Sequence, residues 1–141
     1  MTTARPIDAL ARFYESLTAD KLSSITAFYA ADARFKDPFN DVVGVAHIER
    51  IFEHMFVQVE SPHFEVTRCF DDGDAGVLLW TMHWGEAGSG GCIEGASRVS
   101  FDDNGKVVDH RDYWDPAESL YEKVPILGAV MRRIKRRLAT D

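Results

Sequence analysis

His110 and Asp112 stand two residues apart in the run His110-Arg111-Asp112-Tyr113-Trp114-Asp115-Pro116, which follows Lys106-Val107-Val108 and an Asn104-Gly105 hairpin turn. Alternate residues of an extended chain share a face, so His110, Asp112 and Trp114 point one way and Arg111, Tyr113 and Asp115 the other. One face therefore carries an imidazole, a carboxylate and an indole about 6.5–7 Å apart. On the wet outside of a sheet that pattern is ordinary. Lining a cavity, it is an acid/base pair beside an apolar wall. Histidine titrates near neutrality without help, and a carboxylate held in an apolar pocket becomes a usable base there. Asp37 is the second candidate. It precedes Pro38 at the end of a short alternating segment, a setting that also suits a plain turn former.

The elements that must position these groups are legible in the apolar periodicity. Ile7, Leu10, Tyr14 and Leu17 have helical spacing. Asp20 is placed to cap a second helix whose apolar side is Leu22, Ile25, Phe28 and Tyr29. Residues 33–36 alternate as a short strand that Asp37-Pro38 stops. Gly44 opens a third helix with Ile48, Ile51, Phe52, Met55 and Phe56 on one side; His47 and His54 fall toward its solvent side and receive no function.

After Pro62 the period changes to two. Phe64, Val66 and Phe70 alternate with polar neighbours, and Asp72-Gly73 is a hairpin signal. Residues 77–84 are almost continuously apolar, so both faces are expected to be covered. Residues 85–91 form a Gly-rich loop without the lysine and helix of a phosphate cradle. Residues 93–101 and 106–114 make the last hairpin. Pro116 starts a helical stretch that Pro125 and Gly128 are expected to interrupt. Helices segregated from a meander define an α+β fold, a cone-shaped curved antiparallel sheet with helices closing one side. Small ligands often bind in such mouths.

The totals exclude several classes. The chain has 141 residues, 45% hydrophobic and 28% charged, which suits one soluble domain. No apolar run approaches the ~20 residues that cross a bilayer, and no apolar signal core follows Met-Thr-Thr-Ala-Arg-Pro, so a cytoplasmic protein is expected. A net charge of −7 argues against nucleic acid as a partner. Cys69 and Cys92 are too few for a disulfide framework and are expected to be reduced and buried. No tight ligand motif supports a metal, although His83, His110, Asp112 and Asp37 could in principle converge. The tail is electrostatically separate: Arg132, Arg133, Lys135, Arg136 and Arg137 alternate with Ile126, Leu127, Val130, Met131, Ile134 and Leu138. It could pack on its own domain or a dimer mate, cap the cone mouth, or lie on an anionic membrane.

Three segments, Phe28-Tyr29-Ala30-Ala31-Asp32-Ala33-Arg34-Phe35-Lys36-Asp37-Pro38, Asn104-Gly105-Lys106-Val107-Val108 and Arg111-Asp112-Tyr113-Trp114-Asp115, resemble in order and spacing the nuclear transport factor 2-like (cystatin-like) α+β barrels. Within them the chain is similar to SnoaL-like and ketosteroid-isomerase-like proteins over residues 7–117. The resemblance implies a cone, commonly dimeric, and a family that includes isomerases, cyclases, dehydratases, epoxide hydrolases and non-catalytic members. It sets Asp37 where ketosteroid isomerases keep their base; their Asp base with Tyr and protonated-Asp oxyanion donors is a well-known case of tuned acidity. A gapless count puts Phe13 at the tyrosine's position, with Tyr14 one residue off, and Ser97 at the second aspartate's. Arg111-Asp112-Tyr113-Trp114-Asp115 resembles the Arg-Asp-Tyr-Phe-Asp of limonene epoxide hydrolases, whose first Asp is catalytic and maps to Asp112. The Arg and Asp that those enzymes carry on an earlier strand are missing from Leu79-Trp80-Thr81-Met82-His83.

The resulting expectation is a domain over residues 1–117 and a basic amphipathic helical extension over 118–141, packed on the same domain or a dimer mate. The function expected first is acid/base chemistry on a small apolar molecule by Asp37, Asp112 and His110. Phe13, Tyr14, Trp80, His83, Ser97 and Trp114 would shape the substrate site, with no organic cofactor and no metal. A non-catalytic binder of an apolar ligand, and an interaction or membrane-associated module working through the tail, are the alternatives.

Overall fold

The computed structural model describes residues 5–119 and 125–139. Helix α1 (Pro6–Glu15) starts on a proline, whose missing N–H costs nothing in a first turn. Arg5 donates from Nε and Nη2 to Asp8 at 2.8 and 3.0 Å, fastening that turn. Its apolar stripe buries Ile7, Leu10, Ala11, Phe13 and Tyr14. The second helix is not an α-helix capped by Asp20 but a 3₁₀-helix over Ala19–Ala27 with Thr18 at its N-cap. Serine and threonine hydroxyls compete for its carbonyls: Ser24 Oγ donates to the Lys21 oxygen at 2.7 Å, which favours the tighter turn. Phe28 ends it, and Tyr29 opens a strand instead of completing a helical face.

That strand, β1 (Tyr29–Lys36), is longer than the alternation of 33–36 suggests. A three-residue strand β2 (Asp41–Val43) pairs back on it, with an exposed Arg34–Asp41 ion pair at 2.8 Å across the two strands. It is too short to leave a sequence period. Helix α2 (Val45–Gln58) buries Ile48 and Phe52. The meander β3 (His63–Asp71), β4 (Ala75–Trp84), β5 (Gly91–Phe101) and β6 (Val107–Tyr113) follows, antiparallel throughout. A short 3₁₀ turn (Glu86–Gly88) lies in the Gly-rich loop. The six strands form one sheet in the order β2-β1-β6-β5-β4-β3, in which β1 runs parallel to β6. Both α1 and α2 pack against the concave face.

Three sequence expectations change here. β4 is buried on one face only: Leu78, Trp80 and Met82 are buried, whereas Val77, Leu79, Thr81 and His83 are half-exposed on the convex side. Cys69 is only half-buried, at an inward position of β3 opposite Leu78, and Cys92 is exposed because it occupies an outward position opposite His83. Pro125 does not interrupt a helix but starts one, α4 (Pro125–Leu138), and Gly128 lies inside it. A first-turn proline is compatible with that, and one internal glycine costs only about 1 kcal/mol. The domain boundary expected at 117/118 falls within a short helix α3 (Pro116–Ser119), whose first amides donate to Asp115 Oδ1. Residues 120–124 and the side chains of Ile126, Leu127 and Met131 lie outside the described residues.

One close approach ties the core to the cavity. Gly95 faces Trp80 across the β4–β5 register, and a Cβ built on it would sit 2.4 Å from the indole ring. The indole fills the place that a side chain would take. Gly95→Ala should push that ring aside and cost about 1–3 kcal/mol, the usual scale for overpacking. Urea denaturation with tryptophan emission as the probe measures it. An unchanged midpoint together with an unchanged emission spectrum would contradict this packing.

Candidate active site

The inward positions of four strands and one helix converge at the narrow end of the cone. β6 supplies His110 and Asp112, β5 supplies Ser97, β4 supplies Trp80, β1 supplies Tyr29 and α1 supplies Tyr14. Register brings them together: Ser97 pairs with Asp112 and Phe35 with His110. The result is a continuous hydrogen-bonded chain. Trp80 Nε1 donates to Ser97 Oγ at 2.8 Å, and Ser97 Oγ donates to Asp112 Oδ1 at 2.5 Å. His110 Nε2 lies 2.6 Å from the same oxygen, and His110 Nδ1 lies 2.6 Å from the Tyr29 hydroxyl. Tyr29 in turn contacts the hydroxyl of Tyr14.

Counting donors gives one direction of this chain in which each hydrogen has an acceptor. With the proton on His110 Nε2, that nitrogen donates to Asp112 and Nδ1 accepts from Tyr29, whose oxygen accepts from Tyr14. Every hydrogen is then used. The reverse direction would leave the Tyr14 hydroxyl hydrogen without an acceptor among the described residues. Burial pushes both phenols well above their ordinary range, so Tyr14 and Tyr29 remain protonated donors. His110 is 1% exposed and sandwiched by rings, with Phe35 at 4.6 Å and Tyr29 stacked at 5.9 Å.

Above this floor opens a cavity of about 440 Å³. Phe35, Phe52, Phe64, Trp80, Met82 and Ile93 form its walls, and Phe39, Trp114, Asn40, His54 and Gln58 approach its mouth. Asp112 Oδ1 takes both donors, whereas Oδ2 has none. Among the described residues no buried side-chain nitrogen or oxygen lacks a partner, so Oδ2 is not buried, and Asp112 lines both the cavity and a shallower opening beside Lys36 and Arg111. A carboxylate with one oxygen anchored and the other presented to an apolar hollow can accept a proton from a bound molecule or hold a polar group of it.

The remaining expected site residues are placed as follows. Asp37 lines the same cavity, yet its oxygens are engaged by its own turn: Oδ1 accepts from Phe39 N at 2.8 Å, Asn40 N at 2.7 Å and Asn40 Nδ2 at 3.0 Å, and Oδ2 from Asn40 Nδ2 at 3.1 Å. Trp114 reaches the mouth and meets Phe39 edge-on at 5.6 Å. Phe13 turns away from the cavity and stacks on Phe28 at 4.5 Å; one step of about 100° along α1 makes Tyr14 the residue that faces inward. Ser97 lies behind Asp112 and holds it without lining the cavity. His83 is on the convex face beside Glu65, at 3.1 Å, outside the cavity. Outside the expected set, Arg98 pairs with Asp109 across that same face, at 3.8 Å. No three His, Cys, Asp or Glu side chains converge as a metal site among the described residues.

Tyr29, Asn40 and His54 were missed by sequence reasoning. Tyr29 had a usable signal, since it shares strand parity with Ala33 and Phe35. His54 had none, because an exposed helical position acquires a cavity only when the mouth assembles around it.

This is the architecture of a nuclear transport factor 2-like cone with a polar floor. Residues 10–110 match the model of the SnoaL-like domain, and the chain belongs to that family. A nuclear transport factor 2-like protein of unknown function from Burkholderia pseudomallei superposes with a TM-score of 0.69 at 17% identity, covering 82% of this chain and 95% of that one. A protein from Jannaschia provisionally described as a SnoaL-like polyketide cyclase gives 0.66 at 14%, covering 78% and 85%. An Agrobacterium tumefaciens protein provisionally described as a SnoaL-like isomerase gives 0.63 at 13%, covering 78% and 94%. No curated protein matches the sequence.

The tyrosine pair gives the floor a pH signature. Folding favours the protonated phenols, so their contribution is complete below the ordinary phenol value of 10.0 and is lost as pH rises beyond it. The urea midpoint should fall from about pH 10 upward, and Tyr14→Phe should flatten that decline. Tyr29→Phe should cost about 1–3 kcal/mol at neutral pH by orphaning the groups on either side. Equal alkaline slopes for the unmodified protein and Tyr14→Phe would refute the arrangement.

Proposed function

We propose that this chain is an acid/base enzyme that moves a proton on a small, largely apolar substrate, with Asp112 as the base. The observation that carries the reading is the division of labour within one carboxylate. Ser97 and His110 anchor Oδ1, and Oδ2 is left to the cavity. Proton removal by Oδ2 would change the charge next to His110 Nε2–H, and the Tyr29–Tyr14 chain behind it gives that imidazole a fixed orientation in both states. Aromatic walls keep water from the base and strengthen its interactions. Asp37 then shapes the mouth through its turn with Asn40. Among the described residues two carboxylates and no lysine or arginine line the cavity, with Lys36 and Arg111 in the adjoining shallower opening, which supports neutral or cationic substrates over carboxylates and phosphates. The relatives provisionally described as an isomerase and a cyclase are consistent with proton-transfer chemistry.

5-Nitrobenzisoxazole, a flat neutral molecule that opens when a base removes its one acidic C–H, tests this directly by the absorbance of the released phenolate. Saturable turnover is expected. Asp112→Asn should lower kcat by ~100-fold or more, the scale of general base catalysis, while Asp37→Asn stays within about threefold. Turnover that survives Asp112→Asn would overturn the assignment.

The alternative, a non-catalytic binder of an apolar ligand, draws on one specific feature: the Tyr14 hydroxyl is committed to Tyr29, so the floor presents no free phenol as an oxyanion donor. Stabilisation of the fold by the probe without any conversion would favour it.

A further inference from the structure

The cavity leaves one built feature of the chain unused. Helix α4 reads Pro-Ile-Leu-Gly-Ala-Val-Met-Arg-Arg-Ile-Lys-Arg-Arg-Leu, with five basic residues and no acidic one. Lys135, Arg136 and Arg137 occupy its last turn, where positive charge complements the helix dipole. Arg132 and Arg133 lie before that turn, so the dipole does not account for them. At about 100° per residue, Val130, Ile134 and Leu138 share an arc of about 80°, with Arg132 and Arg136 on the far side, Arg133 and Arg137 along one flank and Lys135 on the other. The apolar arc is not packed away: Val130, Ile134 and Leu138 are 48%, 46% and 80% exposed.

We infer that α4 is a membrane-surface helix that docks this protein on an anionic lipid bilayer. Fourteen residues span about 21 Å, too short for a hydrocarbon core of ~30 Å, and no helix among the described residues is long and apolar enough to cross. A helix of this kind lies in the headgroup plane with its apolar arc below and its basic residues level with the phosphates. Long arginine and lysine stems reach upward from flanking positions such as Arg133 and Arg137 without leaving the apolar layer.

Charge complementarity selects lipid over protein. A protein partner that covered the arc would have to supply negative charge on both flanks and along the full helix, and a continuous anionic headgroup layer does so without design. The rest of the chain is more acidic than the overall net charge of −7, because the five basic residues of α4 are included in that total. An anionic surface therefore repels the barrel while it attracts the helix. Contact is confined to α4, and the cone remains in solution beside the membrane. Each basic residue near such a surface contributes roughly a fivefold gain in partitioning.

The test is co-sedimentation of the full chain with vesicles of pure phosphatidylcholine and of phosphatidylcholine doped with phosphatidylglycerol, at low and high salt. The protein should pellet with the anionic vesicles only, and high salt should release it. Arg133→Ala with Arg137→Ala should weaken partitioning by about 30-fold, and Ile134→Ser by about tenfold. Both changes lie on exposed positions, so the thermal midpoint should not move. Equal binding to neutral vesicles would overturn the proposal, as would no binding to anionic ones. So would an Ile134→Ser variant that halves the particle mass in light scattering and leaves vesicle binding intact, since the arc would then belong to a second copy of the chain.

Discussion

A single oxygen, Asp112 Oδ1, sets the terms for the floor of this cone. A carboxylate among Phe52, Phe64 and Trp80 is tolerable only if fixed donors replace the water it loses. Ser97 and His110 do so, but each is itself buried and must be supplied in turn. Trp80 serves Ser97, Tyr29 serves His110, and Tyr14 serves Tyr29. The chain of obligations ends only when β4, β5, β6, β1 and α1 have each contributed one side chain. A partly satisfied network of this kind is worse than an apolar core. The polar floor therefore specifies the strand register as strongly as the hydrophobic pattern does: a slip of one residue between β5 and β6 would send Ser97 or Asp112 to the convex face.

How much of this could be read from residue types follows from the range of the interactions. The His110/Asp112/Trp114 face was legible because it depends on strand parity alone, and the meander was legible because its turns, Asp72-Gly73 and Asn104-Gly105, are local. The parallel pairing of β1 with β6 was not, since its partners lie about eighty residues apart and nothing in either segment names the other. Tyr14 and Phe13 show the limit within a helix. Both are aromatic and adjacent, and only the position of Phe28 decides which one turns inward. His83 shows the same limit in a strand: an apolar run hides which of its two faces is covered until the helices choose a side.

Asp37 and Asp112 are the same residue type on the same cavity, and their surroundings assign them different work. Asp37 sits at a chain reversal, where the amides of Phe39 and Asn40 and the Asn40 side chain point at it. Those donors come from its own loop and cost no tertiary arrangement. Asp112 receives its donors from a neighbouring strand and from its own strand two residues back, which leaves one oxygen facing the hollow. Asp37 is thus a carboxylate at the mouth held by its own turn, and Asp112 one at the floor held by tertiary contacts.

The two faces of the sheet are held by different physics. On the convex side the polar pairs are Arg34–Asp41, Glu65–His83 and Arg98–Asp109, exposed and therefore each worth little. Water can replace any of them. On the concave side the polar groups are few, desolvated and mutually dependent, and the apolar walls around them can change shape provided that the floor stays intact. A cone built this way separates what holds the Asp112 carboxylate from what shapes the cavity. That separation is a physical reason why one fold can serve many substrates: the wall residues of α2, β3 and the mouth contribute no donor to the Asp112 network and so are not constrained by it.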